Sequence, residues 1–462
     1  MGYQVAPFKV GPDFIDPGHH GKITGKTSFN LDSWMLSKEY NTKLFIEKTK
    51  ESDIAVIEGV MGLFDGYDAL TETGSTAQMA KWLGLPVVLV INAGGMARSA
   101  AAIVKGFEEF DSDLKIAGVI FSKTGSIRHY EYLKKSVEQN CKTKCLGFMP
   151  KNENVIMPER HLGLVTADEF DINSKFLLSL VSMVEDHIDM PSLINSLDSF
   201  KMDSFKLDTF KSVKNNKPIK KEPDIFVRSQ NYTATIAVAR DKAFCFYYQD
   251  NLDILRKFGA KIIEFSPLNG EKLPKDIDGI YLGGGYPEVF ARQLSENRTL
   301  LCEIKKESKA GMPIYGECGG FMSLCNKLYA PNATDETLEY SMSECFNFSV
   351  KMSKRLRSLG YREITFKEDC IIGKKGEKAR GHEFHYSSLI NFGENPDDNF
   401  GENSENNVHN IYKVTSRAGQ NISLQGFKVA NTLGSYLHIH FGSNENCARQ
   451  FVESCKKYRD IQ

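Results

Sequence analysis

Short apolar runs rich in Val and Ile recur along the chain, each closed by Gly, Asn or a carboxylate and each followed by a helical pattern. Asp53-Ile-Ala-Val-Ile-Glu58, Pro86-Val-Val-Leu-Val-Ile-Asn92 and Ile116-Ala-Gly-Val-Ile-Phe121 are of this kind, with helical stretches at Ser75–Leu83 and Arg98–Phe110 between them. Runs apolar on both faces belong to parallel strands covered by helices, so the pattern predicts a doubly wound α/β domain. A second series starts at Ala234-Thr-Ile-Ala-Val-Ala239. It continues through Ala260–Phe265, Gly279–Leu282 and Met312–Tyr315. The chain also opens on such a run, Gln4–Val10, after only Met-Gly-Tyr.

The two series set the domain organisation. With 462 residues, and about 150 per domain as a prior, two domains are expected, at 1–195 and 231–462. Between them, residues 196–230 repeat Asp-Ser/Thr-Phe-Lys every five residues and then turn basic, a period that suits neither helix nor strand and reads as a linker. The polar, acidic stretch Phe392–Asn407 reads as a surface loop. Lys and Arg total 58 against 59 Asp and Glu, so no basic field draws nucleic acid or an anionic membrane, and a small-molecule substrate is expected. No run approaches the ~18 apolar residues of a membrane span and no secretory leader opens the chain, which predicts a cytoplasmic protein. The ten cysteines are scattered, with only a CxxxC pair at Cys141 and Cys145, and read mostly as small buried hydrophobes.

Chemistry concentrates in Gly316-Glu-Cys318-Gly-Gly320. A cysteine between glycines, after a strand and before a helix, is a nucleophile elbow: the glycines permit the strained turn, and the helix N-terminus favours the thiolate. Its base is sought in Gly434-Ser-Tyr-Leu-His438-Ile-His440-Phe, where strand alternation places His438 and His440 on one face. Gly284, Gly285 and Gly319 are positioned to offer N–H groups to an oxyanion. Together these residues make the second domain resemble a class I glutamine amidotransferase. That resemblance implies Cys318 as nucleophile and His438 as base. His440 stands where many relatives carry a glutamate, so it is the candidate third member.

In the first domain, Asp13 and Asp16 follow the opening strand, while Glu58 and Asp65 follow the next. Carboxylates at the C-terminal ends of parallel strands lie where such sheets bind ligands, and their mutual repulsion calls for a cation, which suggests Mg²⁺ with phosphate. The ordered blocks KVGPDFIDPGHH, NLDSWML, EGVMGLFDG, PERHLGL, ARDKAFCFYYQDNL, YLGGGYPE, ECGGFM, RGHEFHYS and GSYLHIHF resemble the cobyrinic acid a,c-diamide synthase family across most of the chain. The resemblance implies a dethiobiotin-synthetase-like nucleotide domain joined to the amidotransferase domain. It further implies ATP and glutamine as co-substrates, a tetrapyrrole diacid as acceptor, and Mg²⁺ held by Glu58 and Asp13, with Asp13, Asp16 and Asp65 on the carboxylate and phosphate site. Nickel-sirohydrochlorin a,c-diamide synthases share the same motifs, and that substrate stays open. A cysteine hydrolase would leave the carboxylates unexplained.

Members of that family begin with a strand, a Walker A loop and a helix before the equivalent of Gln4–Val10. Their absence here is expected to reflect a start placed too late or a true truncation, and the chain as given is expected to hydrolyse glutamine at best weakly and not to amidate. Gly21-Lys-Ile-Thr-Gly25-Lys26-Thr27 is no substitute, because three residues rather than four separate its glycines; it is expected to be a loop.

Overall fold

The computed structural model describes residues 2–160, 163–170, 172–197, 232–332, 334–390, 408–416, 419–422 and 425–462. The expected acidic loop and all of the expected linker except Ser196 and Leu197 lie outside these. Those two residues end the helix Met190–Leu197.

The chain forms two compact units that cut across the sequence division: residues 1–41, 48–58 and 222–462 in one, 42–47 and 59–221 in the other. The second unit carries a parallel sheet of Val87–Asn92, Ile116–Thr124 and Cys145–Pro150, in that order. Its core gathers Leu89, Ile91, Val119, Phe121, Leu133 and Phe148. Ser75 caps the helix Thr76–Leu83 by accepting from the Gln78 N–H, and left-handed Gly84 ends it.

In the first unit, Val5–Val10 is the middle of a small parallel sheet between Phe29–Leu31 and Ile54–Glu58. The strands expected to share one sheet, Ile54–Glu58 and Val87–Asn92, therefore belong to separate three-stranded sheets. The stretch expected to be a loop before Lys26 is instead the end of a helix, Ile15–Thr24, which closes on Gly25 at φ +67°. Asp13 starts that helix by accepting from the Ile15 and Asp16 N–H groups.

The larger sheet of this unit begins as the sequence predicts. Ala260–Phe265, Ala234–Ala239, Gly279–Leu282, Ile314–Glu317 and Thr432–Ser435 run parallel in that order. It then continues antiparallel through Gln425–Val429, His409–Ser416, Ser358–Phe366, Lys378–His385 and His438–Ile439. Both faces are buried, one around Phe321, Phe346, Phe348 and Phe427, the other around Tyr281, Tyr315, Phe441 and Phe451. Among the described residues no helix is long and apolar enough to cross a membrane.

The NLDSWML block explains why residues 1–41 pack with the C-terminal half. Buried Asp32 accepts from the Trp34 and Met35 N–H groups and from the Tyr361 hydroxyl at 2.6 Å. Trp34 stacks on Tyr361, and the Arg380 guanidinium lies over the Trp34 ring while donating to its carbonyl. This block is a structural clasp.

Candidate active site

The strand Ile314–Glu317 leads into Cys318, whose φ of +45° is unusual for a residue with a Cβ and marks a turn strained by about 1–3 kcal/mol. The helix Gly319–Leu324 follows at once. The Cys318 N–H donates to the Ser435 carbonyl at 2.7 Å, tying the elbow to the strand that runs on toward His438. Cys318 is 6% exposed, and its Sγ lies 4.0 Å from the Phe384 carbonyl. Burial, with the Glu288 charge behind it, pushes this thiol well above the ordinary range, against the Gly319 N–H that pulls it down. The Gly319 N–H at the helix start pulls toward the thiolate, as expected from sequence, but burial outweighs it in the resting site.

The candidate base is His438. His438 is buried on the short strand His438–Ile439, and burial, followed by the neighbouring His385, lowers its pKa to about 3. It rests as neutral imidazole, able to accept a proton. Two rings pack against it: His382 stacks on it at 4.9 Å, itself held by the Tyr248 hydroxyl on Nδ1 at 2.8 Å, and Phe14 packs at 5.1 Å. Gly284 approaches so closely that a Cβ there would lie 2.3 Å from His438 Cε1. A Cβ on Gly319 would sit 3.1 Å from the Gly285 backbone nitrogen. The glycine loop and the elbow thus meet beside the nucleophile, the arrangement an oxyanion pocket needs.

His440 directly follows that strand, with extended backbone and its N–H on the Arg380 carbonyl at 3.0 Å. The strand ends at Ile439, and His440 caps a 3₁₀ turn, its Nδ1 accepting from the Gly442 N–H at 3.1 Å while its ring packs on Tyr248 at 4.5 Å. The carboxylate nearest the base is one the sequence reading passed over: Glu317 Oε2 lies 3.9 Å from His438 Nδ1. Its position immediately before the nucleophile was the available signal.

The front-half carboxylates form a different kind of site. Lys9, in the middle strand, reaches Asp16 at 2.6 Å, Glu58 at 3.3 Å and Asp13 at 4.0 Å. Glu58 also meets His20 Nε2 at 2.7 Å. Burial and neighbouring Asp16 push Asp13 up, whereas for Asp16 the Lys9 contact outweighs burial and holds it low. Lys9, read only as a strand residue, supplies the positive charge that the sequence argument gave to Mg²⁺. Glu58 and Asp13 turn toward this ammonium, His20 and backbone N–H groups, and no group of three or more His, Cys, Asp or Glu among the described residues is arranged to hold a metal ion. As they stand these residues do not fit one. Asp65 belongs to the other unit, where its carboxylate accepts from the Gly62 N–H at 2.9 Å.

Comparison with known proteins agrees with this two-part chemistry. Residues 1–165 match the CobQ/CobB/MinD/ParA nucleotide binding domain, and residues 235–446 match the CobB/CobQ-like glutamine amidotransferase domain. Among solved structures, a glutamine amido transferase from Methylobacillus flagellatus is similar over 45% of this chain and 70% of its own, at 13% identity and a TM-score of 0.29, a likeness too loose to bear on function. Full-length relatives are nearer. The cobyrinate a,c-diamide synthase of Caldanaerobacter subterraneus subsp. tengcongensis is 38% identical over 99% of this chain and 93% of its own length. That of Listeria innocua serovar 6a is 40% identical over 99% and 94%. With the elbow, its histidine and both domains present, the chain belongs to the cobyrinate a,c-diamide synthase family of glutamine-dependent amidotransferases.

Proposed function

We propose that this chain uses ATP and glutamine to convert the a and c acetate side chains of cobyrinic acid to amides. The near-full-length likeness to relatives bearing that name carries the reading, and the geometry around Cys318 supports its glutamine half.

Cys318 passes its proton to His438 and attacks the side-chain amide carbon of glutamine. Charge developing on the amide oxygen is met by backbone N–H groups of the Gly285 and Gly319 region. The C–N bond then breaks, ammonia leaves with a proton from the imidazolium, and water hydrolyses the thioester to glutamate. Elsewhere a substrate acetate takes a phosphoryl group from ATP, and ammonia displaces the phosphate. Asp13 and Asp16 are assigned to the site of that acetate and phosphate. Mg²⁺ is the expected companion of ATP, but Glu58 and Asp13, turned toward Lys9 and His20, do not form its ligand set as they stand.

The test is to supply the chain with ATP, Mg²⁺, glutamine and either cobyrinic acid or nickel-sirohydrochlorin, and to follow the products by mass. Two acid-to-amide conversions on cobyrinic acid are expected, which would overturn the sequence expectation that the chain as given does not amidate. Amidation of nickel-sirohydrochlorin alone would move the assignment to that substrate, and amidation of neither would contradict it.

A further inference from the structure

The Glu317 carboxylate lies beside His438, and its residue directly precedes Cys318. Its Oε1 accepts at 3.1 Å from the N–H of Ile439, the residue directly after His438. The Tyr315 hydroxyl holds the same oxygen at 2.7 Å, and the Tyr281 hydroxyl holds Oε2 at 2.9 Å. Oε2 is the atom 3.9 Å from His438 Nδ1, a buried nitrogen with no hydrogen-bond partner. A buried acid with both oxygens anchored, facing an unsatisfied imidazole nitrogen, is an arrangement that folding alone does not favour.

We propose that Glu317 is the positioning acid of this site, holding the His438 imidazole with hydrogen on Nδ1 so that Nε2 takes the thiol proton of Cys318. This deepens the glutaminase reading above and rests on it. In the forward step the S–H bond breaks and an Nε2–H bond forms. The sulfur's electron pair makes the C–S bond, and the carbonyl π pair moves to oxygen. The imidazolium so created carries its positive charge beside the Glu317 carboxylate, and its Nε2 proton departs with the ammonia when the C–N bond breaks. A shift of about 1 Å brings Nδ1–H and Oε2 into hydrogen-bond range at the moment charge appears.

Burial raises Glu317 to about 7, against the Tyr315, Ile439 and Tyr281 donors. The groups facing it are Cys318, Tyr247, Tyr248, Tyr281, Tyr315 and Tyr412, all raised by burial, and His438, lowered by it. None of these titrates near neutrality, so an acid limb there belongs to Glu317.

The experiment measures glutamine hydrolysis against pH for the wild type, Glu317→Gln, Glu317→Asp and Cys318→Ala. Folded Glu317→Gln is expected to lose kcat by about 10²–10³-fold with KM within about threefold, and to lose the acid limb near pH 7. Glu317→Asp should recover the limb and part of kcat. Folded Glu317→Gln with kcat within about threefold of wild type and an unchanged limb would overturn the proposal. Should Glu317→Gln not fold, Glu317→Asp decides: reduced kcat with the limb retained supports the role, and a raised KM with full kcat overturns it. Hydrolysis surviving in Cys318→Ala would instead remove the glutaminase reading beneath it.

Discussion

The elbow around Cys318 and the carboxylate cluster around Lys9 solve the problem of polar groups in opposite ways. At the elbow, Cys318, His438 and Glu317 are nearly inaccessible, burial pushes the Cys318 thiol and the Glu317 carboxyl up and the His438 imidazole down, and the His438 Nδ1 has no hydrogen-bond partner. In the cluster the carboxylates stay partly open to water and are balanced by an ammonium and an imidazole, with Glu58 47% exposed at its side chain. Desolvation stores reactivity in the first region, while charge pairing provides stability and electrostatic reach in the second. Phe14 joins the two. It lies between Asp13 and Asp16 in sequence, yet its ring packs on Phe246, Tyr248, His382 and His438.

If that contrast is right, the largest effect comes from removing the base. His438→Gln, measured by steady-state glutamine hydrolysis, should lose about 10²–10⁴-fold in kcat. A loss below tenfold would place the proton acceptor elsewhere. The next effect tests the connection between the regions. Phe14→Ala removes the ring packed against His438, and the ratio of glutamine consumed to amide formed should rise severalfold. An unchanged ratio would leave Phe14 as packing alone.

The smallest effect separates charge pairing from desolvation. Lys9→Met leaves Asp13, Asp16 and Glu58 without their ammonium, and should lower unfolding free energy by about 1–2 kcal/mol at pH 7 while glutamine hydrolysis stays within about threefold. The direction with pH follows from the shifts. Asp16 is held below its ordinary value, so its contribution is present above its unfolded pKa and lost as pH falls through the folded one. Lys9 is held above its ordinary value, its acidic neighbours outweighing burial, so its contribution is present below its unfolded pKa and lost as pH rises through the folded one. The Lys9→Met deficit should therefore be widest between these limits and shrink in acid. A deficit independent of pH would contradict the pairing.

Much of the first half of the larger sheet was legible in sequence because its strands are apolar on both faces. Ala234–Ala239, Ala260–Phe265 and Gly279–Leu282 run as the sequence placed them, and only Ile314–Glu317 is displaced, by two residues, from the expected run. The antiparallel half was not legible. Ser358–Phe366 and Lys378–His385 hold polar residues such as Arg362 and Glu383 that pair with each other across the hairpin, Arg362 Nη2 reaching Glu383 Oε1 at 2.8 Å. At the site, Cys318 and the glycines were readable because an elbow demands that spacing. Glu317 and Lys9 were missed because adjacency in sequence does not reveal which side chain a buried charge will face.

The most direct measurement treats the chain with an electrophilic glutamine analogue and maps the modified peptide by mass spectrometry. The account predicts one covalent adduct, on Cys318, with glutamine hydrolysis lost in proportion to labelling. An adduct on any other residue, or hydrolysis that continues with Cys318 fully labelled, would contradict it.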